Sequence, residues 1–186
     1  MYSIDNIVLM KYGAHAGESS DNIIERKQRE LKETGQVFWG YGGTLCHPIN
    51  QIHPFLNENR ENSQKTYLVL VKTKKEMEKG NNKIQDRLNL YSENKVDWYP
   101  IPIGINVTGS KYAIICKSFD ICNLDIDLSL YRIPFGSSQG CRLSNYLGWR
   151  KNRACGRYNE KDLDIAVSKI VNVSIIAEIV NGVFVQ

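Results

Sequence analysis

The pattern of apolar and polar positions predicts many short strands and few helices. Residues 4–10 and 66–71 hold continuous apolar runs typical of buried strands. Over residues 21–34 the apolar positions recur with helical spacing, with serines before them as candidate caps and Gly35 after them as a left-handed stop. Further strands are predicted at 36–41, 103–107, 111–117 and 128–133, and a short helix at about 142–149.

The polar stretches and the C-terminal residues complete the predicted secondary structure. Residues 48–64 and about 73–98 have the composition of irregular polar insertions, the second with one or two short surface helices at best. Near the C-terminus, Asn181-Gly182 separates two apolar runs, which is the strongest short signal for a β-hairpin. Because helices do not alternate strictly with strands, we predict an α+β fold. It is a single domain over residues 1–186, with a mixed or mostly antiparallel sheet, one clear N-terminal helix and a C-terminal β-hairpin.

Composition narrows the class of protein. A hydrophobic fraction of 42% and a charged fraction of 24% are typical of a globular chain. No apolar run approaches the ~18 residues of a membrane span, and the N-terminus lacks the pattern of a secretory signal. We therefore expect a cytoplasmic protein with no membrane partner. The five cysteines are odd in number and lack CxxC spacing, which predicts mostly buried reduced thiols. We also expect no metal site and no cofactor.

The formal net charge of +4 is concentrated in residues 141–158. This window has five basic residues, no acidic residue and several aromatic ones, so the rest of the chain sums to −1. Arginine binds phosphate and stacks on bases, and aromatic rings stack on unpaired bases. The predicted phosphate-binding residues are Arg142, Arg150, Lys151, Arg153 and Arg157, with the loop serines Ser137 and Ser138. The predicted stacking residues are Trp39, Tyr41, Tyr146, Trp149 and Tyr158.

Two glycine-containing segments extend this hypothesis. The loop "PFGSSQG" precedes Arg142 and a predicted helix, so its free N–H groups would suit a phosphate, although an ordinary glycine turn fits as well. In "FWGYGGTLCHP", residues 38–48, the rings of Trp39 and Tyr41 share one face of a strand and glycines occupy the other. Two interpretations stay open for these rings: they fill the core, or they stack on a planar ligand.

Three functions remain. The first, which we favour, is a small intracellular binding protein for RNA or a nucleotide-type ligand. The second is a nucleotide-processing enzyme using His15 or His47, with Cys46 and His53 as further candidates and no catalytic residue assigned. The His15 loop, a helix and then a glycine-rich aromatic strand resemble the start of some ADP-ribosyltransferase domains, which implies such an activity.

The third function is inhibition of another protein. The compact size and the Asn/Ile/Lys-rich composition are similar to those of small phage or mobile-element proteins that disable bacterial defence systems, as anti-CRISPR proteins do. This resemblance implies that the partner is RNA, a signal nucleotide or a protein complex of a bacterial defence system.

Overall fold

The computed structural model describes residues 4–15, 18–42, 46–73, 87–92, 95–100, 110–147, 153–162 and 167–185. The described strands are β1 (Asn6–Tyr12), β2 (Val37–Gly42), β3 (Thr66–Lys72), β4 (Arg87–Ser92), β5 (Lys95–Pro100), β6 (Ser110–Cys116), β7 (Asp120–Asp127), β8 (Tyr131–Arg132), β9 (Arg153–Tyr158) and β10 (Ile170–Val185). The α-helices are α1 (Ser20–Thr34), α2 (His53–Glu61) and α3 (Leu143–Tyr146). The predicted α+β class with a clear N-terminal helix is confirmed.

All of these strands belong to one mixed sheet in the order β2-β6-β10-β3-β1-β9-β8. β1 and β3 are parallel, and the other described pairs are antiparallel. β6 and β7 follow each other along one side of β10, so Cys116 lies opposite Ile179 and Asp120 opposite Ile176. The β4–β5 hairpin pairs with the end of β10 on its other side, beyond β3.

The two faces of the sheet bury separate apolar clusters. In β1, Val8 and Met10 belong to the cluster under α1 and α2, whereas Ile7 and Leu9 belong to the cluster under residues 128–147. Alternation along the strand sends successive side chains to opposite faces. Each fully buried aliphatic side chain stabilises the fold by about 1.5–3 kcal/mol.

Helix α1 begins and ends where the sequence predicts. The Ser19 hydroxyl accepts a hydrogen bond from the Asn22 N–H at 3.2 Å. At the other end Gly35 adopts a φ of 76°, and its N–H donates to the Leu31 carbonyl. Both ends therefore satisfy backbone groups that a helix leaves without partners.

A buried ion pair fastens α1 to the edge strand β2. Lys27 Nζ lies 2.8 Å from Glu30 Oε2, and both side chains are almost fully buried. Lys27 also donates to the Phe38 carbonyl, and Glu30 accepts from the Phe38 N–H at 2.7 Å. Burial lowers the pKa of Lys27 because it disfavours the charged amine. The pair completes backbone hydrogen bonds that an edge strand would otherwise leave open.

Residues 48–61, predicted to be irregular, are helical. A π-helix, Pro48–Ile52, runs directly into α2, and Phe55 and Leu56 reach the core. The two prolines suggested a loop because proline breaks helices from within. Pro48 lies in the first turn of this helical stretch, where the missing N–H costs nothing, and Pro54 lies where the π-helix passes into α2.

The structure corrects the hairpin predicted at the C-terminus. β10 is one continuous strand of 16 residues that passes through Asn181 and Gly182. A Cβ on Gly182 would lie 1.9 Å from the Tyr112 hydroxyl oxygen, so the glycine permits close packing and does not make a turn. The glycine of the Asn-Gly pair therefore marks a close contact between β10 and the buried ring of Tyr112.

Other local predictions differ in smaller ways. Residues 87–92 and 95–100 form a hairpin instead of surface helices, and 128–133 is a 3₁₀ turn followed by the two-residue β8. The strand predicted at 103–107 lies outside the described residues, as does the end of the helix predicted at 142–149. Cys116 and Cys155 are buried free thiols, and burial raises the pKa of each. No described helix is long and apolar enough to cross a membrane.

Candidate functional site

Strand β9 divides the basic and aromatic residues of the 141–158 window between the two faces of the sheet. Cys155 lies in the cluster under α1 and α2, and Arg153 and Arg157 share its face. Tyr158 points to the opposite face, where its ring packs edge-on against Tyr131 at 5.9 Å between centroids. The window therefore does not form one surface. Trp149, Arg150 and Lys151 lie outside the described residues.

The guanidinium of Arg153 lies directly over the ring of Tyr41. The Arg153 Cζ is 3.6 Å from the ring centroid, which is a close cation–π contact. Tyr41 is only 1% exposed, and Tyr112 packs edge-on against it. Burial raises the pKa of the Tyr41 hydroxyl. The ring of Tyr41 thus lies buried beneath the half-buried Arg153 side chain and is not free to stack on a ligand.

A hydrogen-bonded chain extends from the hydroxyl of Tyr41. His47 Nδ1 bonds the Tyr41 hydroxyl, and His47 Nε2 lies 2.9 Å from Gln51 Oε1. The same Gln51 oxygen accepts from the Cys155 N–H at 2.9 Å. Because that oxygen is only an acceptor, Nε2 carries the proton, and in the neutral ring Nδ1 accepts from Tyr41. These hydrogen bonds fix the tautomer and orientation of His47.

The helical form of residues 46–61 brings the members of this hydrogen-bonded series together. Residues four apart on a helix share a face, so His47 and Gln51 point the same way. His53 belongs to a neighbouring cluster, in which its Nδ1 lies 3.0 Å from the Tyr112 hydroxyl and its ring packs against Phe184. Burial, with a smaller contribution from the nearby Arg60, lowers the pKa of His53.

Arg157 is an internal anchor. Its Nε donates to Asn6 at 3.1 Å, and its two terminal nitrogens reach Glu58 at 3.3 Å and Asn59 at 2.9 Å. The group also lies over the ring of Phe55, 5.3 Å from its centroid. These contacts join β9 to β1 and α2. A phosphate would have to compete with them, so we remove Arg157 from the predicted phosphate-binding set.

The glycine-serine loop closes on itself. The N–H groups of Gln139, Gly140 and Cys141 donate to the carbonyls of Gly136, Ile133 and Ser138, respectively. Helix α3 after it has only four residues, and Arg142 before it makes no side-chain cap. Of the two alternatives, the structure shows the ordinary turn. Ser137 is exposed and Ser138 half-buried, and the three backbone donors that follow them, at Gln139, Gly140 and Cys141, are already engaged.

The two other predicted stacking residues that the structure describes, Trp39 and Tyr146, pack within the protein. Trp39 stacks on Phe119 at 6.0 Å between centroids and meets Tyr12 edge-on at 6.4 Å. Tyr146 is half-buried against the cluster under residues 128–147. Core packing therefore accounts for Trp39 in the segment "FWGYGGTLCHP", as it does for Tyr41.

His15 and Cys46 are both exposed, at different places in the fold. His15 exchanges backbone hydrogen bonds of 2.9 Å with Glu18 in the loop before α1. Cys46 lies at the start of the helical stretch, and its Sγ accepts from Asn50 Nδ2 at 3.3 Å. Sequence reasoning missed Gln51, because the spacing from His47 to Gln51 carries meaning only if this segment is a helix.

No protein-family model, curated protein or solved structure matches this chain. The geometry of Tyr41, His47, Gln51 and Arg153, here called the Arg153 site, is therefore the basis for a functional conclusion.

Proposed function

We propose that the protein binds RNA or a nucleotide-type ligand, with Arg153 as its central contact. The observation that carries this proposal is the Arg153 guanidinium fixed over the Tyr41 ring. Arginine is usually flexible, and ordering it on binding costs free energy. Here the ring of a buried tyrosine holds the cation in place before any ligand arrives.

Charge supports the same assignment. Arg153 follows Arg150 and Lys151 in the window that holds the chain's basic surplus. A planar guanidinium with one face on a ring can stack its other face on a base or bind a phosphate through its edge. Arg142 comes from the same window, and the basic contacts we assign are Arg142, Arg150, Lys151 and Arg153.

The hydrogen bonds of His47 favour binding over the enzyme alternative. Both of its ring nitrogens already bond protein groups, Tyr41 on one side and Gln51 on the other. A general base must reach a proton of the substrate. His47 would first have to give up one of these bonds, whereas Arg153 needs no rearrangement to meet a ligand.

The test compares two double variants in a filter-retention assay with fluorescent single-stranded RNA. Reversing Arg150 and Arg153 to Glu removes two assigned contacts. Reversing the exposed Arg29 and Lys32 of α1 to Glu changes the net charge equally, far from the window in sequence. We expect the first variant to lose retention and the second to keep most of it, with circular dichroism showing that both fold. Equal losses of RNA retention in the two variants would mean that residues 141–158 contribute only non-specific electrostatic attraction.

Salt dependence measures how many cations take part. Four phosphate contacts predict a slope of log affinity against log salt of about −2.8 to −3.6, whereas five including Arg157 predict about −3.5 to −4.5. The absorbance spectrum of the purified protein, with extraction of anything bound, adds the class of ligand. A clean protein spectrum, no RNA retention and a protein complex that persists in high salt would replace this proposal with the inhibitor alternative.

A further inference from the structure

The longest sheet edge with described side chains is the outer side of β7, and two shorter edges are partly occupied. Lys27 and Glu30 bind the Phe38 backbone on the edge strand β2. β8 has two residues, and the backbone of its Arg132 forms an isolated antiparallel β-bridge with Arg142. Among the described residues, β7 pairs only with β10. β7 has eight residues, and its register with β10 shifts between Leu124 and Ile121.

Hydrogen-bond alternation shows which groups of β7 face outward. The Leu128 N–H donates to the Lys169 carbonyl at 2.9 Å, just beyond the β7–β10 ladder. In an antiparallel pair the bonded positions alternate, so Leu124 and Ile126 bond β10. The N–H and C=O of Asp125 therefore point away from β10, toward the side on which no described strand pairs with β7.

The exposed face of β7 is acidic and apolar. Ile121, Asn123 and Asp125 alternate along the strand and are exposed, and Ile121 is 66% accessible. The sequence of β7, DICNLDID, has no basic residue. In any two-fold pairing of two copies of β7, Asp125 would meet no cation on the partner strand. A partner strand with a lysine opposite Asp125 would give it one.

We propose that the open edge of β7 accepts an extended segment of another protein as an added strand. The segment has a basic residue opposite Asp125 and, four residues further on, an apolar residue in the neighbourhood of Ile121. Backbone hydrogen bonds supply the affinity of such an added strand, and these two side chains supply its specificity. The carboxylate of Asp125 also discourages β7 from pairing with itself, so one residue selects for the partner and against aggregation.

The probe is a labelled, capped peptide, Thr-Lys-Thr-Thr-Thr-Ile-Thr, titrated by fluorescence anisotropy. We expect saturable binding with a Kd below about 1 mM, and at least roughly tenfold weaker binding when its lysine is replaced by glutamate. Asp125→Lys should reverse this preference. Glu33→Lys, on the exposed surface of α1, makes the same charge change and should leave the preference intact.

Two further measurements separate strand addition from general attraction. A peptide with alternate N-methylated amides keeps its charge but cannot form the ladder, so it should not bind. Hydrogen exchange at the Asp125 amide should slow when the unmodified peptide is added, while Leu124 and Ile126 exchange as before. No saturable binding below about 1 mM, binding of the methylated peptide, or equal effects of Asp125→Lys and Glu33→Lys would each overturn the proposal.

Discussion

Replacing Gly182 with alanine tests the packing of β10 against the core. The added Cβ would lie 1.9 Å from the Tyr112 hydroxyl oxygen and 2.7 Å from Leu56 Cδ1, whereas ordinary contact begins at 3.4 Å. Tyr112 is fully buried and its hydroxyl bonds His53, so the ring cannot move by the required ~1.5 Å without loss. Overpacking costs about 1–3 kcal/mol and the lost hydrogen bond about 1 kcal/mol. We expect a total of about 2–4 kcal/mol.

Urea denaturation measures this cost, and a double-mutant cycle assigns it. Tyr112→Phe removes the oxygen that the new methyl group would strike, so Gly182→Ala should cost at least ~1 kcal/mol less in that background. Gly35→Ala is the control: its Cβ meets open space, its cost comes from a φ of 76°, and it should be additive with Tyr112→Phe. A cost below ~0.5 kcal/mol for Gly182→Ala, or additivity with Tyr112→Phe, would refute the reasoning.

Three other substitutions test separate features. Ser63 has a φ of 55° in the turn that ends α2, so Ser63→Gly should raise the free energy of unfolding by about 0.5–1 kcal/mol, seen as a higher urea midpoint with an unchanged slope. Glu30→Gln leaves the buried Lys27 ammonium without its counter-charge and should cost about 3–5 kcal/mol of unfolding free energy; an effect below ~1 kcal/mol would contradict a buried pair. Burial lowers the pKa of His53, so the unfolded chain takes up a proton there first, and stability should fall as pH drops below about 6.5. This fall should be smaller in His53→Gln, and equal falls would contradict burial of a neutral ring.

The sequence predicted elements whose signals are local. The cap at Ser19, the stop at Gly35 and the apolar run of β3 depend on neighbouring residues, and the structure has all three. It did not predict β7, because DICNLDID has its polar residues on an exposed edge and lacks a long apolar run. The role of Gly182 depends on Tyr112, which is 70 positions away in the chain, so no local pattern could distinguish close packing from a turn.

The candidate site was only partly accessible to sequence reasoning. The charge window directed attention to Arg153, but alternation along β9 was needed to separate Arg153 from Tyr158. Arg157 belongs to the same window, yet its partners on β1 and α2 are distant in sequence. The contact of Arg153 with Tyr41 joins two segments far apart in the chain. Composition can predict that arginines and aromatic rings occur together, but only the fold decides which of them meet.

The most direct test of the central claim is photochemical crosslinking of the protein to RNA that contains 4-thiouridine, with mass spectrometry to locate the crosslinked peptide. Binding at the Arg153 site predicts crosslinks within residues 141–158, and their loss in the Arg150→Glu, Arg153→Glu double variant. Crosslinks that fall on other segments, or that persist unchanged in that variant, would contradict the account.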